Sequence, residues 1–161
     1  DPLIDETAIG LVRERLVPRA TVVTPNLDEA AVLLGEPPES REQMLEGRAQ
    51  RLLALGADMV LLTGGKSIAE TALDIFADAN GIQRIEAPRH ATRNTHGTGC
   101  TLSSAIAAEL AKGQGVEKAI KLAKMYVTAA IIAADEIDVG QGAGPVHHFH
   151  ALWPRAEEER S

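Results

Sequence analysis

The turn formed by Gly97, Thr98 and Gly99 is the segment whose residue types and spacing best suit phosphate chemistry. Small residues let backbone N–H groups converge, and the first amides of a helix have no acceptor within that helix. These donors and the positive end of the helix dipole favour a bound anion such as a phosphoryl group. The turn therefore predicts an anion hole, although the same glycines would also suit a cap that only permits close packing of a helix.

Cys100 follows this turn directly and falls in the first turn of the predicted helix. A helix amino terminus favours the thiolate form of a cysteine. A thiolate at this position would accept the proton of a substrate hydroxyl during phosphoryl transfer, which makes Cys100 a candidate catalytic base. The competing interpretation is a small apolar side chain with a packing role only.

Asn26 and Glu29 are spaced by three residues at the start of another predicted helix, just after a predicted strand. Side chains at this spacing share one face of a helix, where an amide and a carboxylate can hold a hydrated Mg²⁺ through water. The alternative is that Asn26 is a helix N-cap and Glu29 a favourable charge in the first turn. Spacing alone leaves both interpretations open.

The segment G-G-K-S at residues 64–67 is similar to a phosphate-binding loop but does not match its pattern. That pattern requires a glycine five positions before its second glycine, where this chain has Val60. The segment is better interpreted as a turn at the carboxyl end of a strand, where open α/β sheets bind ligands. An ordinary connection from a strand to a hairpin is the alternative.

Apolar periodicity predicts the elements that position these residues. In the first half we expect helices over residues 7–17, from the cap Asn26 to Gly35 and from the cap Ser40 to Gly56, with strands over 20–24 and 59–63. A strand, a helix and a strand at this spacing indicate a right-handed parallel crossover.

The second half of the chain predicts a hairpin followed by two helices. Strands over residues 71–77 and 82–87 flank Asn80-Gly81, a strong hairpin turn sequence. Helices are expected over 97–113 and 116–134, followed by a tail rich in glycine and histidine. The elements together predict an α/β fold in which an antiparallel hairpin joins a parallel sheet.

Composition excludes several classes of protein. The chain has 161 residues, 45% of them apolar, and 16 basic against 23 acidic side chains give a net charge of −7. This acidic balance, with only 2% aromatic residues, argues against nucleic acid as a partner. A single cysteine excludes an internal disulfide, and no apolar run approaches the length of a membrane span. We therefore expect a soluble, cytoplasmic protein with no membrane partner.

Three motifs together resemble one family. The segment T-P-N-L-D-E-A at residues 24–30 is similar to a motif of ribokinase-like small-molecule kinases. The segment N-T-H-G-T-G-C-T-L-S-S-A at 94–105 and the tail G-A-G-P-V-H-H-F at 142–149 resemble hydroxymethylpyrimidine/phosphomethylpyrimidine kinase of thiamine biosynthesis. The resemblance implies a three-layer ribokinase-like α/β fold with a mainly parallel sheet and a β-hairpin, here lacking the N-terminal strands. Residues 1–154 would form the C-terminal, ATP-binding and phosphate-binding portion of the kinase domain, and 155–161 a polar tail.

The activity that this resemblance implies is ATP-dependent phosphorylation of 4-amino-5-hydroxymethyl-2-methylpyrimidine and then of its monophosphate, with ATP and Mg²⁺ as cofactors. The implied roles are an anion hole at Gly97, Thr98 and Gly99, a catalytic base at Cys100, Mg²⁺ organisation by Asn26 and Glu29, and nucleotide contacts along Thr63, Gly64 and Gly65. Many family members have K-G-G-H where this chain has T-G-G-K, so we expect Lys66 to supply the phosphate contact instead.

The resemblance covers only about the C-terminal three-fifths of a complete kinase, without most of the pyrimidine pocket. We therefore expect a homo-oligomer, or pairing with a chain that supplies the missing N-terminal half. Two alternatives to the pyrimidine kinase remain open. One is a pyridoxal-type vitamin kinase, and the other is a noncatalytic fragment that binds nucleotide or a partner chain.

Overall fold

The computed structural model of the chain describes residues 5–37, 44–64, 71–137 and 139–153. Its backbone divides into two compact units, residues 1–89 and 90–161, and each is described by itself. The first unit contains every named strand, and the second unit consists of helices and the tail.

The sheet of the first unit has three strands in the order β1-β2-β3, namely β1 Val60–Thr63, β2 Thr71–Asp78 and β3 Gly81–Pro88. Both pairings are antiparallel. The predicted strand over 59–63 and both strands of the hairpin are therefore present. The prediction of a mainly parallel sheet is not confirmed in the described residues.

In the described residues of the first unit, parallel pairing is limited to two isolated bridges beside β1, between Val23 and Val60 and between Asn26 and Thr63. The backbone N–H of Leu61 donates to Val23 and that of Thr63 donates to Pro25, at 2.8 and 2.9 Å. Pro25 has no N–H, so it cannot return a hydrogen bond to β1 and the ladder is interrupted. The predicted strand over 20–24 is consequently reduced to these bridges.

The helices of the first unit are α1 Glu6–Leu11, α2 Leu27–Leu34 and α3 Leu45–Ala54. The helix predicted over 7–17 is present, but its type changes along its length: α1 is followed by a π-helical segment over Val12–Leu16 and a 3₁₀ turn over Val17–Arg19. Pro18 is tolerated because it lies at the start of the 3₁₀ turn, where its missing N–H would have no acceptor within the turn. Ser40, the predicted cap of α3, lies outside the described residues.

The hairpin is confirmed, but its turn is displaced by one residue from the prediction. Asp78 pairs with Gly81, so the loop residues are Ala79 and Asn80, and Gly81 begins β3. Among the described residues, only glycines have positive φ. A type I′ turn over Asn80-Gly81 would require positive φ at Asn80. Aspartate at the first position and glycine at the fourth are instead typical of a type I turn.

Helices α2 and α3 pack against β1 and with each other, and the core of the first unit lies between these helices and the sheet. Arg48 of α3 is fully buried there, and its guanidinium donates to the backbone oxygens of Leu27 and Pro37 at 3.1 and 3.4 Å. The Glu36 carboxylate, 3.0 Å from Nε of Arg48, neutralises its charge. This pairing links α3 to both ends of α2.

The second unit is built on two helices that pack against each other, α4 Thr98–Ala111 and α5 Val116–Ile132. Both were predicted from sequence, and Gly113 between them has positive φ as a helix-ending glycine requires. A 3₁₀ turn over Ala133–Glu136 follows α5. The tail then returns to α5, where the N–H of His147 donates to the carbonyl of Ala130 at 3.0 Å.

Candidate active site

The glycine turn of the second unit, where the sequence predicts an anion hole, leads directly into a long helix. Gly97 is the N-cap of the 14-residue helix α4 and is left-handed, with φ of 82°. No described side chain accepts a hydrogen bond from the first amides of this helix. The Thr98 hydroxyl donates to the carbonyl of Thr95, at 2.7 Å. The first amides of a helix have no acceptor within it and point towards its amino end, which is the position of the Gly99 and Cys100 N–H groups in α4.

Cys100 is exposed and is a free thiol. It opens onto a cavity of about 570 Å³ between α4 and α5, which Gly97, Thr101, Tyr126 and His148 also line. The Tyr126 hydroxyl donates to the carbonyl of His148 at 2.7 Å and thereby fixes one wall. The structure thus places the predicted base beside the predicted anion hole, with space for a ligand next to the thiol.

The tail motif supports the loop that leads into this turn, a contact that sequence reasoning missed. His96 and Pro145 form a parallel bridge, and the N–H of His96 donates to Gly144 at 3.0 Å. Gly144 is buried so tightly that a Cβ there would overlap the Asn94 side chain. The amide of Asn94 in turn donates to the carbonyl of Ala134, at 3.1 Å. The glycines of the tail motif were the sequence feature from which this close approach could have been inferred.

Asn26 and Glu29 form a reciprocal capping box at the start of α2 in the first unit. Asn26 Oδ1 accepts the backbone N–H groups of Asp28 and Glu29, both at 2.9 Å. Glu29 Oε2 accepts the backbone N–H of Asn26, also at 2.9 Å. The capping interpretation is therefore confirmed. Because Oε2 of Glu29 is used in the cap, a metal ligand at this residue would be its other carboxylate oxygen. Groups of three or more potential metal ligands are absent from the described part of the chain.

The predicted nucleotide-binding residues lie next to this capping box. Thr63, the last residue of β1, forms the bridge with Asn26, and Gly64 follows it. A Cβ at Gly64 would overlap the carbonyl oxygen of Leu73, so only glycine fits at this position. The structure brings Asn26, Glu29, Thr63 and Gly64 together at one end of β1. Gly65 and Lys66 lie outside the described residues.

Asp74 is a further residue of this group that the sequence analysis did not select. It faces Thr63 across the β1–β2 pair and is only 7% exposed. Its Oδ1 accepts the backbone N–H of Gly64 at 3.1 Å. An aspartate in the middle of the apolar strand T-A-L-D-I-F-A was the available indication, because buried carboxylates require partners.

The fold is that of the pyridoxal kinase class of small-molecule kinases. A crystal structure of an ADP complex of Bacillus subtilis pyridoxal kinase superimposes with a TM-score of 0.85, at 39% identity over 94% of this chain and 58% of that chain. A phosphomethylpyrimidine kinase structure from Clostridium difficile 630 gives a TM-score of 0.66 at 31% identity, over 81% of this chain and 52% of that one.

Sequence comparison identifies the family within that class. The model of the phosphomethylpyrimidine kinase family matches residues 1–147, and the chain belongs to this family. The hydroxymethylpyrimidine/phosphomethylpyrimidine kinase of Rhizobium meliloti is 47% identical over 153 residues, which is 95% of this chain and 58% of that protein. The chain thus spans somewhat more than half the length of this relative. The described residues contain no helix long and apolar enough to cross a membrane.

Proposed function

We propose that this chain forms the ATP-binding and phosphate-binding part of a phosphotransferase that acts on 4-amino-5-hydroxymethyl-2-methylpyrimidine and on its monophosphate in thiamine biosynthesis. The observation that carries the proposal is the left-handed Gly97 turn at the amino end of α4, with exposed Cys100 in the first turn of that helix. This geometry falls in a stretch that is 47% identical to a pyrimidine kinase.

The chemistry we assign to the second unit is proton removal and charge neutralisation. The Cys100 thiolate takes the proton of the substrate hydroxymethyl group, whose oxygen then forms a bond to the γ-phosphorus of ATP. The bond from that phosphorus to the β–γ bridging oxygen breaks, and ADP leaves. The amides of the turn formed by Gly97, Thr98 and Gly99 stabilise the negative charge of the phosphoryl oxygens in transit. In the second reaction a phosphate oxygen of the monophosphate replaces the hydroxyl as nucleophile.

The role we assign to the first unit is nucleotide binding. Thr63 ends β1 and Gly64 follows it, at the carboxyl end of the strand, where open α/β sheets bind ligands. We extend the nucleotide contact to Gly65 and Lys66 from the sequence. The solved pyridoxal kinase relative from Bacillus subtilis is an ADP complex, which supports a nucleotide as the ligand.

We further propose that Glu29 and Asn26 orient a hydrated Mg²⁺ bound mainly to the nucleotide phosphates. Mg²⁺ in kinases retains several waters and needs only one or two protein carboxylates, so this pair is chemically sufficient. The capping box supports this by fixing the Glu29 carboxylate through its hydrogen bond to Asn26. When bound, the ion neutralises phosphate charge.

A pyridoxal-type kinase is the second candidate. It is favoured by the structural comparison, in which the pyridoxal kinase of Bacillus subtilis gives a higher TM-score than the phosphomethylpyrimidine kinase of Clostridium difficile, 0.85 against 0.66. The cysteine at position 100 and the G-x-G-P-V-x-H-F tail favour the pyrimidine kinase. The third candidate is a chain that binds nucleotide but depends on a second copy, or on another chain, for turnover. In such an assembly we expect the bridges beside β1 to belong to a mainly parallel sheet.

The deciding experiment measures ADP release from ATP and Mg²⁺ by the purified chain, with hydroxymethylpyrimidine, its monophosphate and pyridoxal as separate acceptors. If the chain is active by itself, both pyrimidines should be turned over, and loss of a catalytic base in Cys100→Ala should lower kcat by roughly 10²- to 10⁴-fold. Faster turnover of pyridoxal would favour the second candidate. Binding of ATP without any turnover would favour the third.

Two controls make the result specific. Ala107→Ser changes an exposed position two turns further along α4 and should leave kcat unchanged. Titration calorimetry with ADP should give the same affinity for Cys100→Ala as for the unmodified chain, because Cys100 is assigned to the acceptor and not to the nucleotide. A Cys100→Ala variant with normal kcat would contradict its assignment as the base.

A further inference from the structure

Asp74 is a buried carboxylate to which neither the family motifs nor the proposed chemistry gives a role. It lies in the middle of β2, a strand whose residues 73–77 are all buried. Burying a carboxylate is costly unless hydrogen bonds compensate for the lost water. The N–H of Gly64 provides one of these hydrogen bonds, at 3.1 Å. The carboxylate is therefore aimed at the backbone of the proposed nucleotide segment.

The Thr63–Gly64 peptide is constrained from several directions. The N–H of Thr63 donates to the carbonyl of Pro25 at 2.9 Å, on the α2 side of β1. The N–H of Gly64 donates to Asp74 on the β2 side. The α-carbon of Gly64 lies against the carbonyl oxygen of Leu73, which leaves no space for a side chain. Pro25 and Leu73 act through backbone oxygens, so among the described contacts it is the Asp74 side chain that fixes the direction of this peptide.

We propose that Asp74 is a positioning residue for nucleotide binding, and that it acts by holding the Gly64 amide so that the Thr63–Gly64 peptide at the end of β1 keeps the orientation in which the nucleotide binds. This inference rests on the proposed function, because it assigns the nucleotide to that segment. Asp74 does not touch the nucleotide. Its contribution is to keep the Thr63–Gly64 peptide from sampling orientations in which the nucleotide could not be bound.

Two substitutions separate the acceptor from the charge. Asp74→Asn keeps an oxygen in the place of Oδ1 and removes the charge, whereas Asp74→Ala removes the acceptor. A net hydrogen bond is worth about 0.5 to 1.5 kcal/mol, so Asp74→Ala should weaken ADP binding by roughly two- to tenfold. Asp74→Asn should recover most of that affinity. Ile75→Val is the control for general loss of stability, because Ile75 is a fully buried neighbour on β2 that pairs with Leu62 of β1.

The readouts are the dissociation constant of ADP by calorimetry, and the exchange rate of the Gly64 amide proton by nuclear magnetic resonance. We expect faster exchange and weaker ADP binding in Asp74→Ala, and neither in Ile75→Val. The proposal is overturned if Asp74→Ala binds ADP as tightly as Ile75→Val, or if Asp74→Asn is as weak as Asp74→Ala. An unmodified chain that binds no ADP would instead overturn the proposed function, and with it this role.

Discussion

At the scale of single residues, Asn26 and Glu29 show how the same side chains can suit both a structural and a metal-binding role. The sequence predicts them as Mg²⁺-organising residues, with a helix cap as the alternative, and the structure shows the complete cap. A capping box uses one carboxylate oxygen and leaves the other available. The structural role and the proposed metal role are therefore compatible, and substitution can separate them.

Replacing Glu29 by glutamine separates these roles because the glutamine oxygen still accepts the N–H of Asn26. We expect the free energy of unfolding to change by less than about 0.5 kcal/mol, and the Mg²⁺ concentration for half-maximal turnover to rise. Asn26→Ala removes the cap and should lower the free energy of unfolding by about 1 kcal/mol. Urea denaturation and a Mg²⁺ titration of activity check both results. An unchanged Mg²⁺ requirement in Glu29→Gln would leave it a capping residue only.

At the scale of elements, the hairpin illustrates a turn set by hydrogen bonds as well as by a glycine. Asp78 Oδ1 accepts the backbone N–H groups of Asn80 and Gly81, at 2.8 and 3.1 Å. The Asn80 side-chain amide donates to the other oxygen at 3.0 Å. The ionised carboxylate accepts all three bonds, so it closes the loop at Asp78 and places Gly81 in the strand.

These hydrogen bonds give the hairpin a defined pH dependence. The pKa of Asp78 is held below its ordinary value of 3.8 by hydrogen bonds to its carboxylate. The largest effect comes from the backbone N–H of Asn80, followed by the Asn80 side chain, and the backbone N–H of Gly81 adds a smaller one. A lowered pKa in the folded state means that the stabilisation is complete above the unfolded value and is lost as the pH falls through the folded value. In Asp78→Asn, unfolding monitored by circular dichroism should lose this part of its pH dependence below pH 3.8. If the stability of the variant fell with decreasing pH as steeply as that of the unmodified chain, Asp78 would make no contribution to this pH dependence.

At the scale of the whole molecule, residues distant in sequence determine the shape of each part of the site. In the second unit the tail supports the loop before the anion turn, through Gly144, His96 and Asn94. In the first unit Asp74 and Thr63 meet across two strands. The motifs at residues 94–105 and 142–149 are thus joined by contacts as well as by order along the chain.

Gly144→Ala tests whether the tail positions the anion turn. The added Cβ would overlap the Asn94 side chain, and overpacking of this kind costs about 1 to 3 kcal/mol. We expect a lower melting temperature and a lower kcat, because the loop bearing His96 must shift. Gly142→Ala is the matched control, since nothing lies within 4 Å of a Cβ there. Equal kcat values for the two variants would limit the tail to a role in stability.

The sequence by itself determined the local elements and the candidate residues. The cap at Asn26, the end of α2 at Gly35, the hairpin, helices α4 and α5 and the turn before Cys100 all follow from short-range rules of periodicity, capping and backbone conformation. These rules act between residues a few positions apart, so the sequence displays them directly.

The tertiary structure alone decided which distant groups meet. Nothing near Asp74 in the sequence indicates Gly64 as its partner, and nothing near Asn94 indicates Gly144. The missing N–H of Pro25 limited the expected parallel strand to bridges, an effect that depends on which strand lies beside it. Contacts of this kind arise from burial and from pairing between separate segments, whose partners are fixed only when the whole chain packs.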